Sequence, residues 1–187
     1  MEKRLKRQFF TQPTLKVAQK LLGKTLVRIW RGKRLAGKIV ETEAYIGPKD
    51  KASHAYLGKK TPRNKAEFMV GGHIYIYLVY GMYWQLNIST ETKGKPTCVL
   101  IRALEPLKGM NEPTNGPGKL CRALKLNKSF YAEDLCASPR IWLEDGPEIP
   151  KTKIVRSPRV GIDYAGPYWS KIPWRFYIKD NKFVSKK

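Results

Sequence analysis

The sequence predicts an α+β fold built as a single mixed domain over residues 1–187. Three observations point there. Strand-like alternation recurs along the chain, helical spacing is confined to short stretches, and the strands succeed one another without the long helices of βαβ units. With 187 residues, 42% of them hydrophobic, the chain can bury one good-sized core. An antiparallel sheet with few helices follows.

Each element has its own signal. Between Thr14 and Leu22 the apolar residues Leu15, Ala18, Leu21 and Leu22 recur at helical spacing, and Gly23 stands where a helix-terminating glycine would. "KTLVRIW" and "RLAGKIVETEAYIG" are strand-like, and "RGKR" between them reads as a hairpin turn. In "HIYIYLVYGMYWQLNIS" strict alternation runs from His73 to Val79 and resumes after Gly81, which predicts a second hairpin. "PTCVLIRALEP" gives a further strand. "NGPGKLCRALKLN" reads as a turn leading into a short helix, and "PWRFYIK" is strand-like again.

Charge narrows the function classes. Lys plus Arg number 37 against 15 Asp plus Glu, a net charge of +22 spread along the chain, so the polyanion that best explains the excess is nucleic acid. An anionic membrane fits less well, because no long basic amphipathic helix is visible. No apolar run approaches the roughly 18 residues of a membrane span, and the basic start lacks a signal-like apolar segment, so the expectation is an intracellular protein. A lysine-rich surface that merely keeps the chain in solution is the bland alternative. Cys98, Cys121 and Cys136 are odd in number and widely spaced, which argues for reduced thiols. With only His54 and His73 beside them, no zinc-ligand spacing appears, and no metal or cofactor is expected.

Two stretches carry chemistry. If "VETEAYI" is a strand, Glu41, Glu43 and Tyr45 share one face and Val40, Thr42 and Ala44 the other. The bland alternative is a solvated edge whose glutamates pair with lysines. A carboxylate on a DNA-binding face repels phosphate, a cost that makes sense where it activates a water as general base. In the aromatic hairpin, Ile74, Ile76 and Leu78 suit a core, but Tyr80 lies at the tip beside Gly81, where an aromatic wedge could enter a DNA groove and unstack a base step.

The run "ETEAYIGPKDKASH" followed by "TPRN", "FM", "YIYLVYGMYWQLNIS", "IRALEP", "GPGKL", "NKS" and "RVGI" closely resembles the alkyladenine (3-methyladenine) DNA glycosylase family, the non-helix-hairpin-helix type, over about residues 8 to 185. The resemblance implies a curved antiparallel sheet and a protruding, DNA-intercalating β-hairpin. It also implies flipping of a damaged purine from duplex DNA and hydrolysis of its N-glycosidic bond by water, in a protein acting as a monomer and without a cofactor. Carried over by position, Glu43 matches the general base, Arg102 an arginine that helps hold the attacking water, and the carbonyl of Val160 another ligand of that water. Tyr45, His54 and Tyr77 match the residues that sandwich the flipped base, and the main chain around Ala52 and His54 reads its edge. Asn87 matches a residue that crowds the 2-amino group of guanine, and Tyr80 the intercalating tyrosine. Arg63 and Asn64 lie in a loop similar to one near the DNA backbone. Glu41 has no role by resemblance and is expected to be a structural ion-pair partner.

Two rival readings differ in class. "NGPGKL" is loosely like the hairpin of helix-hairpin-helix glycosylases, with Lys119 as a Schiff-base nucleophile. Pro106, Gly109 and Pro113 break the helix such a hairpin needs upstream. A non-catalytic nucleic-acid-binding protein would use the charge and the aromatics but leaves the paired glutamates unexplained.

Overall fold

A computed structural model describes residues 4–107 and 109–186. Its eight strands are β1 (Thr25–Trp30), β2 (Lys33–Ile46), β3 (Ile74–Val79), β4 (Tyr83–Ser89), β5 (Thr97–Pro106), β6 (Ile141–Glu144), β7 (Ile154–Ser157) and β8 (Arg175–Ile178). They form one antiparallel sheet in the order β3-β4-β5-β2-β1-β6, with β8 joined to β2 and β7. The helices α1 (Arg7–Phe10), α2 (Thr14–Lys20), α3 (Pro117–Ala123) and α4 (Gly166–Lys171) are short, as the α+β expectation requires.

The long strand β2 organises the sheet. β5 lies along one edge of it, while β1 pairs with its first half and β8 with Glu41 to Glu43 on the other edge. The β1–β2 turn is two residues, Arg31 and Gly32, both at positive φ (49° and 73°), the geometry whose twist matches the flanking strands. Opposite β5 the register of β2 shifts on either side of Glu41. Ile39 faces Leu104, Glu41 faces Ala103 and Thr42 faces Ile101, so Val40 and Arg102 are each the extra residue of a bulge.

The two faces of the sheet do different work. Ile74, Ile76, Leu86, Ile88, Val99 and Ile101 point into the main core with Phe10, Val17, Leu21 and Phe176. α2 lies over this face, and Thr42 Oγ1 donates to the Ala18 carbonyl at 2.8 Å. The opposite face of β3 sends Tyr75 and Tyr77 into a smaller cluster with Ala66 and Cys98. α1, α4, β6 and β7 are not foretold by the sequence, because fewer than two helical turns or a strand of four residues is too short to display a period; pairing supplies what propensity does not, as where β6 lies along β1.

Candidate active site

Sheet register assembles the site. Directly opposed residues share a face, so Glu43 of β2, Leu100 of β5, Asn87 of β4 and Tyr75 of β3 form one row across four strands. Above this row opens a cavity of about 730 Å³, whose walls include Tyr45, His54, Tyr77, Arg102, Val160 and Tyr164. At its floor sit Tyr75, Asn87 and Cys98, all buried.

Glu43 is fully buried and held by donors. Its Oε1 accepts the Val160 amide at 2.8 Å and lies 3.4 Å from an Arg102 nitrogen, while its Oε2 accepts the Tyr45 hydroxyl at 2.8 Å. A carboxylate has about four acceptor positions, so three donors leave one for a water. Burial, reinforced by the Glu43 carboxylate, pushes the Tyr45 hydroxyl well above its ordinary range and keeps it a donor. The bulge at Arg102 re-aims its guanidinium between the two glutamates, with Nε 3.3 Å from Glu41.

Glu41 is equally buried, and its partners are arginines. Arg175 donates to it at 2.7 Å and the Ser185 amide at 2.7 Å. The solvated, lysine-paired edge is therefore corrected: the extra strand β8 covers this segment and carries Arg175 to it.

His54 stands at the exposed rim, its Nδ1 2.6 Å from the Tyr75 hydroxyl and its ring 4.7 Å from that of Tyr77. Although the residue stands at the rim, its ring is partly desolvated against Tyr75 and Tyr77, and this, with Arg63 adding to it, lowers its pKa and favours the neutral imidazole. The loop that carries His54 is fastened by a buried pair absent from the sequence reading. Arg159 donates to both oxygens of Asp50 at 2.6 and 2.9 Å, and Asp50 accepts the Ala52 and Ile46 amides. The same arginine donates to the Ala44 carbonyl and lies 4.7 Å over the Tyr45 ring, which fixes the neighbouring Val160 amide on Glu43.

Comparison with known proteins places the chain in a family. The profile of the methylpurine-DNA glycosylase family matches residues 8–182. A Methanocella arvoryzae protein, provisionally named a 3-methyladenine DNA glycosylase, is 48% identical, covering 98% of this chain and 96% of its own. The human DNA-3-methyladenine glycosylase is 43% identical over 97% of this chain and 68% of its own, and the mouse protein of that name 42% over 97% and 61%. The chain belongs to the methylpurine-DNA glycosylase family. As a DNA glycosylase it is a hydrolase of N-glycosyl bonds.

In this glycosylase Tyr80 tops the β3–β4 hairpin at positive φ (52°) and is 86% exposed, with Met82 beside it at 64%. Gly81 follows at φ +69°, where a Cβ would be strained. Arg63 is exposed at the cavity mouth, donating to the Leu78 carbonyl at 3.0 Å, its guanidinium 5.1 Å from the Tyr77 ring. Asn64, expected near the DNA backbone, is 1% exposed. Its side chain accepts the Thr61 amide and donates to the carbonyls of His54 and Lys59, so it shapes the loop and does not reach outward. Asn87 is buried, donating to the Tyr75 and Gln85 carbonyls. Ala52 lines the cavity, and its carbonyl accepts the Tyr164 hydroxyl at 3.2 Å.

Tyr164, Asp50, Arg159, Arg175 and Glu67 are the site residues that sequence reasoning missed. A signal existed for the acids alone, as rare anions in a basic chain. Lys119 is exposed and bonded to Asn115, outside the cavity wall. All three cysteines are unpaired, no three His, Cys, Asp or Glu side chains converge as metal ligands among the described residues, and no described helix is long and apolar enough to cross a membrane.

Proposed function

We propose that the protein removes alkylated or deaminated purines, namely 3-methyladenine, 7-methylguanine, hypoxanthine and etheno-adenine, from double-stranded DNA with a water activated by Glu43. The observation that carries this reading is the buried Glu43 directly behind the wall of an aromatic cavity, clasped by the wall residues Arg102, Val160 (through its amide) and Tyr45 with one acceptor position left. Tyr80 enters the duplex from the hairpin tip and fills the place of the extruded nucleotide. The base stacks among Tyr45, His54 and Tyr77, its edge read by the main chain at Ala52 and His54, while Asn87 crowds the 2-amino group of guanine. Arg63 meets the nearby backbone.

Water attacks the sugar C1′ as the glycosidic C–N bond breaks. Its proton passes to Glu43, the bonding pair leaves with the base, and an abasic site remains. Arg102 and the Val160 carbonyl hold the water. A base made cationic by N-alkylation departs as a neutral molecule, which eases the step. The chain acts as one monomeric, DNA-associated intracellular domain without a metal or cofactor, and its +22 charge drives retention on phosphate. The test is a glycosylase assay over duplexes that each hold one defined lesion. Release of the free purine supports the reading, and duplex binding without release from any lesion would favour the non-catalytic alternative.

A further inference from the structure

One buried acid on the cavity wall has no part in the chemistry above. Glu67 sits in the 3₁₀ turn Lys65–Phe68 and is 2% exposed. Its Oε1 accepts the Cys98 thiol at 3.7 Å, and its Oε2 is buried with no hydrogen-bond partner. Among the described residues no lysine or arginine pairs with it. An unpartnered carboxyl oxygen inside a protein is costly, and a thiol acceptor alone does not require one; an amide would serve.

The surroundings say what would complete it. Glu67 shares the cavity with Tyr75, Tyr77, Asn87 and Cys98, and the Cys98 sulfur also lies 3.9 Å from the Asn87 oxygen. Asp50 is close enough to oppose its ionisation, but its charge is already matched by Arg159. Burial keeps the hydroxyls of Tyr75, Tyr77 and Tyr131 and the Cys98 thiol protonated, so the wall around Glu67 offers it no cation. The arginines of the cavity wall are engaged elsewhere, Arg102 against Glu41 and Glu43 and Arg63 at the mouth on the Leu78 carbonyl, which leaves what enters the cavity to supply a cation to Glu67.

We propose that Glu67 determines base specificity: from the cavity wall its side chain turns the unpartnered carboxyl oxygen to the flipped purine and favours bases made cationic by N-alkylation over neutral ones. The inference rests on the reading of this cavity as the pocket for the extruded base. In the empty pocket burial pushes the Glu67 carboxyl up to about 8, so near neutral pH it is mostly protonated. A cationic base drives that proton off and gains a charge-assisted bond; a neutral base leaves the acid protonated and gains only an ordinary one.

The experiment compares the wild type with Glu67→Gln in single-turnover excision of 7-methylguanine, a cation, and hypoxanthine, a neutral base, from otherwise identical duplexes. Taking the wild-type-to-variant rate ratio on each duplex cancels every contribution of the base's own chemistry. The ratio is expected to be about tenfold or more for 7-methylguanine and within about threefold for hypoxanthine. Equal ratios for the two, whether large or near one, overturn the inference and leave the excision reading standing. If the wild type released neither base, the excision reading would fall and this inference with it. Glu67→Ser, which retains an acceptor for Cys98 in a smaller side chain, carries the same comparison should the glutamine variant fail to accumulate.

Discussion

Glu43→Gln and Glu41→Gln make the same charge change on one strand, and the structure assigns them opposite consequences. In Glu43→Gln the amide oxygen keeps the Val160 N–H, and the new NH₂ faces the Tyr45 hydroxyl, which can turn to accept. Arg102 retains Glu41. One charge of the cluster is lost, but no NH₂ is left facing a donor, so the stability cost is smaller than that of Glu41→Gln. The rate loses its general base, worth roughly 10² to 10⁴, or about 3–5 kcal/mol of barrier. In Glu41→Gln no such rotation helps. One oxygen faces the Arg175 guanidinium and the other the Ser185 amide, so the NH₂ meets a donor either way. Breaking one side of a buried charge cluster costs about 3–5 kcal/mol. Denaturant midpoints measure the stabilities, and single-turnover excision and equilibrium binding on a hypoxanthine duplex measure the rest. Glu43→Gln should bind as well as the wild type while excising at least a hundredfold more slowly, and Glu41→Gln should chiefly lose stability. A Glu43→Gln protein within tenfold of the wild-type rate would refute the base assignment; equal rate losses in two equally stable variants would show that strand charge alone matters.

Tyr80→Ala should leave the unfolding midpoint within about 0.5 kcal/mol of the wild type, because an 86% exposed tip packs little, yet slow excision severalfold; a large loss of stability would make Tyr80 a packing residue. Glu67 gives a pH signature in stability. Its folded pKa, about 8, lies above the ordinary carboxylate value of 4.5, so between those limits the unfolded chain holds fewer protons and stability falls as pH rises. Relative to Glu67→Gln, which carries no such proton, the wild type should lose up to about 1.4 kcal/mol per pH unit between pH 4.5 and 8, with no difference below that window; parallel curves for the two proteins would contradict the burial argument. Borohydride added during turnover should trap no protein–DNA adduct if, as proposed, water and not a lysine attacks; adduct in good yield would restore Lys119 or another amine as nucleophile.

How much of this was legible depended on the range of each signal. The aromatic hairpin was plain because six strand residues suffice to display a period of two, and the same period put Glu41, Glu43 and Tyr45 on one face, where the Tyr45–Glu43 bond places them. The bulge was invisible. It depends on pairing between β2 and β5, and without it nothing in "IRALEP" aims Arg102 at either glutamate. Asp50 and Arg159 lie 109 positions apart and meet only through the fold. Asn64 was matched by resemblance to a loop near the DNA backbone, and resemblance by position does not say that its side chain is spent on the carbonyls of its own loop. Glu67 drew no reading, since sequence does not say which side of a single turn meets a cavity.

The paired glutamates of so basic a chain owe their burial to arithmetic. Glu41 and Glu43 bring two negative charges below the cavity, and Arg102 and Arg175 bring two positive ones within 2.7–3.4 Å of them. A cluster that sums to zero avoids the cost of an isolated buried ion, which is several kcal/mol even after relaxation. The balance is unevenly shared. Arg175 spends itself on Glu41 and the Lys186 carbonyl, while Arg102 divides between both acids, its Nε without a hydrogen bond of good geometry. If Glu43 activates water as proposed, Glu41 acts on the chemistry at one remove: it is the anion that shares Arg102 with Glu43 and so bears on where that arginine points. A single glutamate beside Arg102 would be neutral too, but the arginine would be free to close fully on it and cover the acceptor position a water needs. Divided between two acids at 3.3 and 3.4 Å, it orients Glu43 without capping it.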